Sequence, residues 1–212
     1  MNHIFDWVFS QYQGVPTELI VLEFIAIIFG LLSVWYSKRE NILVYPTGII
    51  STAIYVYLLL VYQLLGDMLI NAYYFSMSIY GWYLWTRKID QTHYIPITRM
   101  TKKEYKMAGV LFVSAIVLLV VVYELSDKWE SWFSYVDILT TAIFFVGMWL
   151  MAKKKLENWT YWIIGDIISI PLYFLKGMVL SSFLYTALTI IAIYGYIAWK
   201  KNLNKSPQRL LK

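Results

Sequence analysis

Cysteine is absent from the 212-residue sequence, so disulfides and thiolate chemistry are excluded. Histidine is almost absent: only His3 and His93 occur, both outside the apolar runs, which removes an imidazole-based metal or acid–base centre from those runs. Charge is scarce too. Charged residues make up 15% of the chain, against about 25% in a typical soluble domain. No Walker-type phosphate loop is present, and the opening MNHIFDWVFSQYQ lacks the basic region of a secretory signal. An enzyme working within the apolar runs would need a nucleophile, a base or a metal constellation. With no Cys or His there, and no paired deep acids, neither an enzyme nor a metal or other cofactor is expected.

What is there is apolar: 60% of residues are hydrophobic and the mean hydropathy is +0.58. Runs long enough to cross a ~30 Å hydrocarbon core fall at roughly 17–36, 42–62, 68–86, 107–125, 135–152, 159–177 and 179–199. Sustained alternation is missing, so strands are not expected. An all-α membrane protein with seven transmembrane helices follows, preceded by an interfacial segment in which Ile4, Trp7, Val8 and Phe9 face the headgroups.

All but Lys128 and Lys176 of the 18 basic residues fall after the first, third and fifth runs or in the tail. Lys38 and Arg39 follow the first, six basic residues from Arg87 to Lys106 the third, and Lys153, Lys154 and Lys155 the fifth. The positive-inside rule then puts the N-terminus outside and the C-terminus in the cytoplasm. Contact with anionic lipid accounts for these charges, and a nucleic-acid partner is not needed. Lys176, on the other side, is placed to snorkel outward.

Gly30, Asn41 and Gly48 recur at the same spacing as Gly147, Asn158 and Gly165; Ile79, Tyr80, Gly81 and Trp85 recur as Ile193, Tyr194, Gly195 and Trp199. The plan is therefore three helices, one linker helix and three helices. Because three plus one is even, the triplets run in the same direction, a parallel repeat about an axis along the membrane normal. The expected units are an N-terminal interfacial segment at 1–16, the first triplet at 17–86, a basic loop and linker helix at 87–134, the second triplet at 135–199 and a basic tail at 200–212.

Polar groups inside lipid must face one another or water. The sharpest case is the run NWTYWIIGDIISIPLYFLK, where Trp159, Trp162, Asp166 and Tyr173 share a narrow arc. Indole faces attract cations and the acid supplies the counter-charge. On the third helix Asn71, Tyr74, Ser78, Trp82 and Trp85 share a face; on the second, Tyr45, Gly48, Thr52 and Tyr55; on the seventh, Tyr185, Thr189 and Tyr196. The expected lining is Trp159, Trp162, Asp166, Asn71, Tyr74, Ser78, Thr52 and Thr189. Pro171 removes a backbone donor beside Asp166, so a hinge is expected there, with Gly165 and Gly48 as further points of flexion.

The segments ENWTYWIIGD, YFLKGM and IYGWYLW, together with LEFIAIIFGLLS and IAIYGYIAW, resemble the PnuC vitamin transporters over nearly the whole chain. The resemblance implies a seven-helix core related to the SWEET sugar transporters, located in the cell (inner) membrane. It further implies facilitated uptake of nicotinamide riboside, trapped in the cytosol by a riboside kinase. Trp159 and Trp162 fall on the family's substrate-contacting segment. Asp166 stands where several members carry Asn, and Asn71 where they carry Gln; the acid suits a cationic pyridinium riboside, and equally cationic thiamine, which related members carry. A sugar carrier of the SWEET type and a non-transporting receptor are the lesser alternatives, and self-association is left open.

Overall fold

The computed structural model describes residues 14–63, 65–87, 95–126, 129, 132–176 and 178–209. The interfacial segment expected at 1–16 therefore lies outside the described residues up to Gln13, as do Lys88, His93, Lys128 and Lys212. Seven helices make up nearly all of what is described: α1 (Thr17–Lys38), α2 (Val44–Val61), α3 (Leu65–Thr86), α4 (Lys102–Leu125), α5 (Trp132–Ala152), α6 (Asn158–Leu175) and α7 (Val179–Arg209). Among them α1, α2, α4, α5 and the Ser181–Leu203 part of α7 are long and apolar enough to cross a membrane. The remaining two, α3 and α6, hold Asn71 and Asp166 among many tyrosines and tryptophans.

Helix ends depart from the apolar runs where capping chemistry intervenes. The fourth run starts at residue 107, yet α4 begins at Lys102. The Thr101 hydroxyl accepts the Glu104 N–H while the Glu104 carboxylate accepts the Thr101 N–H, a reciprocal cap that starts the helix in polar sequence. At the other end, α7 continues through residues expected in the tail, since leaving the apolar layer does not stop a helix and Leu203 packs against the core.

The packing order is closed. Within the first three helices α2 lies between α1 and α3; within the last three α6 lies between α5 and α7. The two sets meet along α3 with α5 and along α7 with α1, which completes a ring of six. The fourth helix stays outside, packed mainly on α5 and presenting Val110, Val113, Val117 and Val121 outward, as the aliphatic stretch between its polar ends should. Flanked by α3, α4 and α6, α5 is the most enclosed helix.

One end of the ring gathers the basic connections. Lys153 and Lys155 pair with Glu104 at 3.4 and 3.0 Å, and Lys154 pairs with Glu40 at 3.5 Å. Glu40 and Lys154 both adopt left-handed backbone (φ 53° and 55°) just past α1 and α5, a position usually given to glycine. Keeping side chains there costs about 1–2 kcal/mol each, and what they gain is this ion pair between the two sets of helices. Lys154 also lies 4.5 Å over the Trp85 ring, and burial pushes its ammonium below the ordinary lysine value, against the opposing pull of Glu40. Residues before α4 dock on the same end: the Thr98 N–H donates to the Lys154 carbonyl and the Leu156 N–H to the Thr98 carbonyl.

At the opposite end, Lys176 does not snorkel freely. It forms an ion pair with Asp137 at the start of α5, beside the rings of Phe133 and Tyr173. The half-buried setting of both side chains favours that partner over open solvent.

Candidate functional site

The ring encloses a cavity of about 280 Å³ to which all six of its helices contribute, and α4 none. Its two walls differ in chemistry. The α1–α2–α3 side is lined with small and hydroxylic residues. The Ser33 and Ser51 hydroxyls each donate at 2.8 Å to a carbonyl of the facing helix, Val44 and Ala26 respectively, and Thr52 donates to the Gly48 carbonyl of its own helix. Gly48 lets this wall converge, since a Cβ there would stand 3.1 Å from the Ser33 oxygen and 3.3 Å from that of Ser78. Ser78 is 3% exposed and, alone among these hydroxyls, has no hydrogen-bond partner among the described residues.

The opposite wall is aromatic. Trp162 stacks on Phe144 (centroids 5.3 Å, planes 26° apart), Phe144 on Tyr185 (6.3 Å, 7°) and Tyr185 on Tyr173 (5.0 Å, 26°). Gly165 is what admits Phe144 to this ladder: a Cβ at that position would fall 2.3 Å from its ring. Beside the rings stands Asp166, 3% exposed, lining the cavity and without a hydrogen-bond partner among the described residues. None of the lining residues is Lys, Arg or His. A carboxylate with aromatic faces and no balancing cation makes a field that draws in positive charge and resists an anion.

Toward the basic end the cavity is closed by Tyr45, Trp85, Trp159 and Trp199. The recurring Gly-x-x-x-Trp segments build this closure in matching fashion. Gly81 and Gly195 leave room for the rings of Tyr45 and Trp159, which approach to 2.3 and 2.6 Å of where a Cβ would lie. Each tryptophan then reaches across the ring: the Trp85 indole N–H donates to the carbonyls of Met151 and Ala152 in the last turn of α5, and that of Trp199 to Ser37 in the last turn of α1. Carbonyls at helix C-termini lack partners within the helix, so each indole caps a helix of the other set. The corresponding asparagines are not equivalent: the Asn41 carboxamide oxygen accepts the Leu43 N–H, whereas the Asn158 amide donates to the Lys155 carbonyl.

Of the residues expected from sequence, Thr52, Tyr74, Ser78, Trp159, Trp162 and Asp166 line the cavity, as does Gly48. Trp159 belongs to its floor, edge-on to Trp199 at 5.6 Å, rather than to the stacked wall. Asn71 and Thr189 do not line it. The Asn71 amide donates to the Asp67 carbonyl and the Thr189 hydroxyl to the Tyr185 carbonyl, each in its own helix. Trp82, on the same expected face as Ser78, is 42% exposed. Pro171 lies within α6, which continues to Leu175. Phe144 and the serines Ser33, Ser37 and Ser51 line the cavity outside the expected set. A phenylalanine in an apolar run carries no mark of its direction, and serine is common on helices that pack closely.

Residues 20–201 match the nicotinamide mononucleotide transporter family. The chain belongs to that family. It is a multi-pass membrane transporter and not an enzyme. Among relatives, the nicotinamide riboside transporter PnuC of Escherichia coli (strain K12) is 27% identical over 92% of this chain and 91% of its own length. The riboflavin/roseoflavin transporter RibM of Streptomyces davaonensis is 23% identical over 92% of each. The crystal structure of the vitamin B3 transporter PnuC superposes with a TM-score of 0.65, at 21% identity, covering 96% of this chain and 88% of that one, a likeness of fold.

Proposed function

We propose that this chain carries nicotinamide riboside across the cell (inner) membrane by facilitated diffusion, with cytosolic phosphorylation retaining what has entered. Seven crossings, an outside N-terminus and two like-oriented triplets joined by α4 form the working frame, as in SWEET-type carriers. The identical packing order of the two sets and the collection of basic residues at one end support this. Trp162, Asp166, Tyr74, Ser78 and Thr52 contact the substrate, Trp159 forms the floor, and flexion at Pro171 with Gly165 and Gly48 exchanges access.

One observation carries the reading: the cavity pairs a ladder of rings with a lone carboxylate and has no cation in its lining. A pyridinium riboside offers a flat positive ring to that wall. A mononucleotide would bring a phosphate with nothing to neutralise it, next to Asp166, and burying an unpaired anion is costly. Riboside, and not mononucleotide, is therefore the form transported.

Radiolabelled uptake into proteoliposomes tests this. Nicotinamide riboside accumulates to its external concentration, insensitive to an imposed pH gradient, and the mononucleotide does not enter. Thiamine, also cationic, and riboflavin are the comparison solutes. Faster uptake of either, or entry of the mononucleotide, would overturn the assignment.

A further inference from the structure

The hydroxyl wall has a hydrogen-bonding polarity, and that polarity selects a ligand. Ser33, Ser51 and Thr52 each spend their O–H on a backbone carbonyl, so toward the cavity they keep only lone pairs. Asp166 across the cavity offers acceptors when ionised. Ser78 alone, buried and unpartnered, is free to donate or accept. A solute completing these bonds must therefore be rich in donors on the side opposite its flat ring. Sugar hydroxyls meet that demand. Ethers, ring carbonyls and phosphates, which only accept, do not.

Resting on the riboside reading above and going beyond it, we propose that Ser33, Ser51, Thr52 and Ser78 recognise the sugar. Its hydroxyls donate to these oxygens while its base lies against Trp162. The wall thus separates a glycosylated or polyol-bearing heterocycle from the same heterocycle without one, and the acceptor-only state of three of the four oxygens sets the requirement for free hydroxyls. Each neutral hydrogen bond of this kind is read as a several-fold change in affinity, so the loss of two sugar hydroxyls is expected to cost about tenfold.

Calorimetric titration of the purified full-length chain decides it, using nicotinamide riboside against its 2′,3′-dideoxy analogue, and riboflavin against lumiflavin, which lacks the ribityl chain. Wild-type protein prefers the riboside over the dideoxy compound by at least about tenfold, ~1.4 kcal/mol. In a Thr52→Val, Ser78→Ala double variant, which keeps Ser33 and Ser51, that preference falls at least about threefold while dideoxy affinity stays within about twofold of the wild-type value, which shows that the fold and aromatic wall are intact. Undiminished preference in the variant, or equal wild-type affinity for both ribosides, overturns the proposal. If the riboside fails to bind and riboflavin binds, the riboside reading falls alone, and the flavin pair then judges the wall by the same criterion. Tight binding of thiamine only, or of none of these compounds, overturns both.

Discussion

The two sets of three helices share a packing order but not a chemistry. Corresponding glycines make the contrast plain. Gly48 in α2 is surrounded by hydroxyl oxygens of Ser33 and Ser78, whereas Gly165, its counterpart in α6, lies under the face of Phe144. In the first set the space freed by glycine lets helices approach and brings small polar groups together; in the second it admits an aromatic ring. The scaffold is repeated and the lining is divided. One half offers stacked rings and a carboxylate to the cavity, the other hydroxyl oxygens that act as acceptors.

That division is most severely tested in the half with the charge. Trp162→Ala and Asp166→Ala both abolish uptake while leaving the protein inserted in the membrane. The informative variant is Asp166→Asn, which keeps hydrogen-bonding capacity and removes only charge. Uptake of the cationic riboside at limiting concentration falls about 100-fold, the effect of ~3 kcal/mol of charge attraction at an effective dielectric of about 20. Riboside uptake within twofold of wild type would show that the acid acts through hydrogen bonding alone.

The matched glycines give the next largest effect. Ala is the better helix former by about 1 kcal/mol, so in open space either substitution would stabilise. At Gly165 the new methyl meets the Phe144 ring at 2.3 Å, inside any tolerable contact, and the ladder must shift. Overpacking of this kind costs about 1–3 kcal/mol. At Gly48 the nearest atoms are serine oxygens at 3.1 and 3.3 Å, which yield by small rotations. Gly165→Ala therefore lowers the melting temperature in detergent and Gly48→Ala leaves it nearly unchanged, its cost appearing in riboside affinity instead. The reverse order would mean that Phe144 is held loosely and that the aromatic wall is not fixed.

Much of this arrangement is legible in the sequence, for identifiable reasons. Long apolar runs give the helices without ambiguity, and an acid or hydroxyl within such a run must find water or a partner, which is why Asp166, Ser78 and Thr52 could be picked out. Helical periodicity, however, gives direction around an axis and says little about depth along it. Asn71 shares the arc of Tyr74 but lies a turn short of the cavity, whereas Thr189, level with the lining residues Leu188 and Ala192, stays outside the lining with its hydroxyl on the Tyr185 carbonyl. Phe144 is hidden for the opposite reason, being apolar among apolar residues and distinguished only by its contact with Gly165. The role of the recurring tryptophans is also beyond pattern reading, because the carbonyls they cap belong to helices of the other set.

Those tryptophans provide the finest comparison, one of near-equality. Trp85→Phe and Trp199→Phe each keep a buried ring while deleting one indole donor, and each removes a bond across the closed end of the cavity. A net hydrogen bond is worth about 1 kcal/mol, so either variant loses a similar, small amount of thermal stability. Backbone N–H groups partly share the load: the Ser37 carbonyl also accepts the Glu40 N–H, and the Lys154 N–H donates to Met151. Function is expected to report more sharply than stability, since both bonds run between the two sets of helices across the closed end. Loosening either one shifts the population toward opening on the basic side, and accessibility of that side to a membrane-impermeant reagent rises to a similar degree in both variants. If only one of the two raises it, the closure is not shared between the halves, and the similarity of scaffold does not extend to the way the two sets hold each other shut.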